Sequence, residues 1–581
     1  MSSPVPREDE ALRQFLDAAF DEEVALSPQT RASLGIAGDQ DRLDDKSDAA
    51  GLRRVRLLES QRDAMRHRFL ADALGPEGRL NAALFEARAE RARAEHTWRD
   101  HIAPFSIDGG PDESASFLIG RHGIGSVEDA RHYIARLREL ERVLGELAQR
   151  LARQQDLGIT WTERQIGRLR LALRPYRAGA PFEPGADGPL LADFRKKIAA
   201  LGLTSGEEAA LVAEATAALT GEVCRGRDRY LSAIDAIAPR PRPRDGVWSL
   251  PDGDAYYGAA LRRWSTTDMS ADEIHRLGLE QVEHIGAEMA EVLRQVGFTG
   301  PLSHFQETIR TDPRFQYSDD EPGRAQCLRD TEQALAAALA VSPGFFRSLP
   351  KASIEVRAVE EWRAANSPVA FYDPASPDGE RPGTLYVNLA DMTQVQKIQL
   401  AAIVHHEGVP GHHYQVALDQ ECADLPKFRR FNVDYGAYVE GWALYSERLG
   451  DEMGLYEDPY ARFGMLSLQM WRACRLVLDT GIHAKRWTRE QAIAYFTANS
   501  SLSHLDIERE VDRYIGSPGQ ATAYLIGQIR ILDLRTRAKD ALGPDFDIRD
   551  FHDAVLGNGA VPLDVLARQV DGWIQEARHH A

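Results

Sequence analysis

The segment VHHEGVPGHHYQ gathers His406, Glu407, Pro410, Gly411, His412 and His413, more potential chemistry than any other stretch of the chain. It opens like a zinc hydrolase helix, an imidazole followed at once by a carboxylate. In the usual H-E-x-x-H arrangement, histidines at i and i+4 share one helical face and hold zinc while the glutamate activates water. Here i+4 is Pro410, which cannot ligate, and the next imidazoles are at i+6 and i+7. In an unbroken helix i and i+6 stand about 9 Å apart along the axis and about 120° around it. Bonds of about 2.0–2.1 Å cannot bridge that gap. Pro410 removes a helical donor, and Gly411 permits backbone angles closed to other residues. Taken as a two-residue insertion, Pro-Gly predicts a helix interrupted at Val409–Gly411, with His412 swung back to the place of an i+4 histidine. His413 stays open at this stage: it can bind substrate, support a ligand, or replace His412 as ligand.

The elements that must position these groups are legible around them. TQVQKIQLAAIVHHE carries Val395, Ile398 and Ala402 on one stripe leading to His406, which puts His406 on the packed face and His405 about 100° away, a non-ligand. Just upstream, SIEVRAV (353–359), PVAFY (368–372) and TLYVNL (384–389) are short, β-branched and aromatic, and separated by Pro, Gly and Asp turns. They predict a small sheet beside the HE helix, whose edge can pair with an extended peptide, with Asn388 facing the cleft. Downstream, DYGAYVEGWALYSERLG reads as a helix in which Glu440 falls within an apolar run. An unpaired carboxylate is costly to bury there, so Glu440 is the candidate third ligand, while Glu447 and Arg448 read as its polar surface face.

Two further constellations can complete a site. DTGIH sets His483 near Asp479, a carboxylate able to hold an imidazole in one tautomer. In EVDRYIGSPGQATAYLIG, Pro518-Gly519 turns the chain between two polar-aromatic segments. Arg513 can clamp a substrate carboxylate, and Tyr514 or Tyr524 can donate to an oxyanion, Tyr524 being preferred.

HHEGVPGHHYQ, VEGWALYSE, RLVLDTGIH and EVDRYIGSPGQATAYLIG together resemble the DUF885 family. The likeness extends from the early LSPQTRASLGI segment to the final helices. It implies a mainly α, zinc-peptidase-like and gluzincin-like protein, with His406, His412 and Glu440 as ligands to one Zn2+ and Glu407 as general base. The resemblance does not bring a substrate with it.

The 581-residue chain is 43% hydrophobic and 27% charged, ordinary for a globular protein, and carries a net charge of −19. That balance argues against nucleic acid or an anionic membrane as partner. No 18-residue apolar run is present, and the first residues lack a charged-then-apolar signal. Cys224, Cys327, Cys422 and Cys474 are far apart and show no C-x-x-C spacing, as expected of buried thiols in a reducing cytoplasm. Residues 1–240 read as a helical scaffold, with Ile134, Leu137, Leu140 and Leu144 forming an amphipathic stripe. The proline-rich APRPRPRDGVWSLPDG, near 238–253, reads as an inter-helix loop within one continuous domain or as a linker into a metal-binding region over 241–581. The expectation is a large helical body with a central cleft that hydrolyses short peptides or related amides. The alternatives are a hydrolase or lyase of a small amide-bearing metabolite, and a non-catalytic metal- or peptide-binding protein; Glu407 argues against the last. Imidazole and carboxylate ligands also suit Mn or Co.

Overall fold

A computed structural model describes residues 7–104, 114–364, 367–377, 379, 381–431 and 434–580. Among these residues the chain is mainly helical, with one three-stranded sheet. It divides into two compact units, Met1–Arg244 and Asp245–Ala581, and the division falls inside the proline-rich stretch.

The first unit is built from helices whose apolar faces pack together. Its longest, Val127–Asp156, starts at Ser126, whose side chain accepts the Asp129 N–H; such a cap contributes about 1 kcal/mol. Ile134, Leu137, Leu140 and Leu144, the stripe expected from spacing, are all buried on it.

The second unit holds every residue singled out above for chemistry. The central helix Pro459–His483 begins with Asp458 accepting the Tyr460 N–H and with proline in its first turn, which has no N–H to leave unsatisfied. It is buried almost all round, because other elements of the unit pack on several of its sides. The helix Gly436–Glu452, which bears Glu440, crosses the helix Ala523–Leu542, which bears Tyr524. At the crossing Gly441 lies on Gly527: a Cβ on Gly441 would stand 2.5 Å from the Gly527 backbone, and one on Gly527 would meet the Ala437 carbonyl oxygen at 1.8 Å. Glycine is required at both positions by this approach.

The three strands are β1 (Ile354–Ala358), β2 (Ala370–Asp373) and β3 (Gly383–Val387). β3 is central, parallel to β1 with Val356 opposite Leu385, and antiparallel to β2 with Phe371 opposite Tyr386. The Phe371 and Tyr386 rings stack with centroids 4.9 Å apart, and Leu385 and Val387 are buried. β2 packs against the HE helix, so the strands stand where the sequence puts them. Asn388 differs from expectation. It is buried, donating to the Ala364 and Ser367 carbonyls and accepting from the Ala390 N–H. Its amide closes the end of the sheet and does not face a cleft.

Candidate metal centre

The HE helix runs over Leu400–Glu407 and stops; a second helix starts at His412 and runs to Glu421. Between them Gly408 is its C-cap, Val409-Pro410 is a cis peptide, and Gly411 precedes the next helix. A Cβ on Gly411 would come within 2.0 Å of the His406 carbonyl oxygen and 2.3 Å of that of His405, so only glycine lets the chain fold back so tightly. The loop is gripped from the Glu440 helix: Trp442 Nε1–H donates to the Pro410 carbonyl at 2.9 Å.

This break brings the imidazoles together. The His406 and His412 rings meet edge to face with centroids 4.9 Å apart. Both Nε2 atoms stand 3.5 Å from Glu440 Oε2. Among the described residues, His406, His412 and Glu440 are the His, Cys, Asp and Glu side chains whose ligand atoms converge, all within 4.8 Å. Glu440 Oε2 is shut off from solvent and has no hydrogen-bond partner among the described residues. Atoms about 2.0–2.2 Å from one tetrahedral zinc ion stand roughly 3.3–3.6 Å apart. The two 3.5 Å separations suit such an ion, and a buried acceptor without a donor is what a cation satisfies. The donor set fits.

The electrostatics follow from this crowding. Burial opposes the charge on Glu440, but the two imidazoles facing it outweigh burial and hold its carboxyl well below the usual range. Burial likewise opposes a charged His406, yet Glu440 and Glu447 push it up to about 9. Glu407, half-buried between these groups, accepts no hydrogen bond among the described residues; burial raises it above the ordinary carboxylate range, partly offset by the two imidazoles.

Glu447 also differs from expectation, which put it on a polar surface face. It is fully buried, and His406 Nδ1–H donates to its Oε1 at 2.8 Å. A carboxylate behind a ligating imidazole fixes the tautomer and ring orientation. Seven residues separate Glu447 from Glu440, two helical turns on one face. That spacing was the available signal, masked because the helix is buried on most of its circumference, Glu447 included, and polarity there no longer marks the solvent side.

The other histidines are committed elsewhere. His405 pairs through Nδ1 with Tyr456 Oη at 2.8 Å, in keeping with its reading as a non-ligand. His413 Nε2–H donates to the Ala352 carbonyl, which leaves Nδ1 to accept from Tyr372 Oη at 3.0 Å. It ties the second helix to β2 and has no nitrogen left for an ion or a substrate. His483 Nδ1 accepts the Val247 N–H and its Nε2–H donates to the Tyr514 carbonyl, so this fully buried ring is structural and not a substrate contact. Nor does Asp479 hold it; Asp479 accepts from Tyr257 Oη at 2.6 Å and from the Gly519 N–H.

The tyrosines separate cleanly. Tyr514 donates to Glu510 Oε2 at 2.7 Å and accepts from Trp471 Nε1 and Arg475 Nε, which saturates its hydroxyl. Tyr524 lies with its ring nearly parallel to that of His406, centroids 6.3 Å apart. Its hydroxyl accepts from Arg513 Nη2 at 3.2 Å and Gln520 Nε2 at 3.4 Å. With both neighbours donating, its own proton is free for a further acceptor. Arg513 also bonds Gln520 Oε1 at 2.8 Å and pairs with Glu510.

The comparisons agree on the fold. A crystal structure of a protein from Colwellia psychrerythraea, described as a “putative lipoprotein”, is 28% identical over 98% of this chain and 100% of that one, with a TM-score of 0.92. A second, from Shewanella oneidensis and described as a “putative lipoprotein of unknown function”, is 19% identical over 96% and 99% of the two chains, with a TM-score of 0.71; it shows the fold alone. No curated protein matches. Residues 28–570 match the family described as bacterial protein of unknown function (DUF885), and the chain belongs to that family.

Proposed function

We propose that the chain is a metal-dependent hydrolase of peptide or related amide bonds, working on short substrates in a cleft beside the sheet. The observation that carries this reading is the buried, donorless Oε2 of Glu440 set 3.5 Å from two imidazole Nε2 atoms. His406, His412 and Glu440 would hold a divalent ion, zinc first by donor type. When bound, such an ion supplies a Lewis acid for a carbonyl and makes water more acidic.

The chain's own groups do the rest. Glu407, with no hydrogen-bonding partner among the described residues and a raised affinity for protons, takes a proton from the attacking water and passes it to the leaving nitrogen. Tyr524 donates its free hydroxyl proton to the oxygen that gains charge. Arg513 holds that phenol and offers its cation to a carboxylate end of the substrate.

Metal analysis of purified protein followed by digestion of a peptide library tests the proposal. The expected result is one equivalent of a divalent metal and release of free amines that stops on chelation and returns with zinc. A metal-free protein that zinc does not load, or loaded protein inert on every peptide, would sink it; turnover confined to a metabolite panel would redirect it to small amides.

A further inference from the structure

We propose that Arg448 is a positioning residue for the metal centre, fixing the His406 imidazole through Gln469 and Glu447. The proposal rests on His406, His412 and Glu440 being a cation site. Arg448 shares the Glu440 helix, Gln469 lies on the central helix, and Glu288, which anchors the far end, lies on the helix Ala271–Gln295.

The bonds form an unbroken directional series. Arg448 Nη2 donates to Glu288 Oε2 at 2.9 Å, and Arg448 Nε donates to Gln469 Oε1 at 3.3 Å. Gln469 Nε2 then donates to Glu447 Oε2 at 3.0 Å and to the Leu444 carbonyl at 3.3 Å. Glu447 Oε1 accepts from His406 Nδ1 at 2.8 Å. Gln469 and Glu447 are both fully buried, so water does not compete.

The amide of Gln469 makes the series specific. Flipping it would turn its NH2 group toward the guanidinium and its oxygen toward a carboxylate and a carbonyl, setting like against like at every contact. Arg448, held by Glu288, opposes that flip from the oxygen side, as Glu447 and the Leu444 carbonyl oppose it from the nitrogen side. Glu447 therefore keeps a fixed donor on Oε2 and presents Oε1 to His406, with the Arg472 guanidinium 3.5 Å from that same oxygen. The imidazole is then held with Nδ1 protonated and Nε2 directed at Glu440. Partners bonded directly to a ligand, as Glu447 is, typically change metal affinity by about 10–100-fold, and a residue further out is expected at the low end of that range.

Two simpler roles predict different results. A purely electrostatic Arg448 would repel a cation, so removing it should tighten binding. A purely structural one would lower stability without a specific loss of affinity. The test is the zinc dissociation constant by chelator competition for wild type, Arg448→Met, Arg448→Lys, Gln469→Leu and the Met/Leu double variant, with thermal unfolding of the metal-free proteins alongside. Arg448→Met should weaken zinc by about 10-fold. Arg448→Lys should also weaken it, because an ammonium keeps the charge but not the fork that spans Glu288 and Gln469. In the Gln469→Leu background Arg448→Met should cost nothing more. Zinc bound by Arg448→Met as tightly as by wild type, or losses that simply add, would overturn the proposal and leave the metal centre standing. If the Met variant does not fold, Arg448→Lys decides: unchanged affinity overturns the proposal. Wild type that binds no zinc would overturn the metal reading and this proposal with it.

Discussion

Two polar clusters meet at Tyr524, and they lack opposite things. On the His406 side, Glu440 Oε2 is buried, faces two imidazoles at 3.5 Å and accepts no hydrogen bond among the described residues. On the other side, Glu510 receives Arg475, Arg513 and Tyr514, yet Arg475 Nη1 and Arg513 Nε are buried donors with no acceptor among the described residues. The first cluster is short of a cation and the second is short of an anion. A buried group without a partner costs about 1–3 kcal/mol, and it is tolerated most readily where a ligand completes it. Both clusters are largely buried; the direction of the deficit distinguishes a place for metal from a place for a carboxylate.

The largest effects should come from breaking the acceptor-rich side. Glu440→Ala should lose metal and activity together, seen by metal analysis of the purified variant. Glu407→Gln should abolish hydrolysis with metal content nearly intact, since Glu407 is assigned to proton transfer and not to ligation. If both variants keep metal and activity equally, the division of roles is wrong. Next comes Tyr524→Phe, expected to lower kcat by about 10²–10³ with little change in KM, the usual cost of one oxyanion donor.

Weaker effects sharpen the donor-rich side. Arg513→Ala should raise KM most for peptides with a free C-terminus, and amidating that terminus should erase the difference. Because Arg513 also donates to Tyr524, a smaller fall in kcat that survives amidation is expected as well. Smallest in catalysis is Tyr514→Phe. Its hydroxyl is saturated, so kcat should stay near the wild-type value, while urea unfolding should show a loss of about 1–3 kcal/mol from the partners left unmatched. A large kcat loss there, with Tyr524→Phe unaffected, would exchange the two roles.

How far the sequence led depended on whether the deciding partner was local. The strands and the interrupted HE helix were readable because alternation, Pro410 and Gly411 act on the backbone in place. His413 could not be resolved, since its fate was set by Tyr372 and Ala352, distant in the chain. Glu447 and Arg448 read as a solvated face because helical periodicity assumes a wet side, and at Glu447 the Gly436–Glu452 helix has none. His483 and Asp479 sit four residues apart on one helix, a spacing that suggested a pair, but each found a better partner across the core.

The contact of Gly441 with Gly527 sets how stiff the centre is. Helices that meet through side chains can draw closer by a rotamer change; helices already backbone to backbone cannot. The span from the carboxylate of Glu440 to the phenol of Tyr524 is therefore gauged by a hard stop, much as a machinist's shim sets a gap. Repacking the surrounding core leaves that gap alone, whereas a single methyl group at either glycine forces it wider.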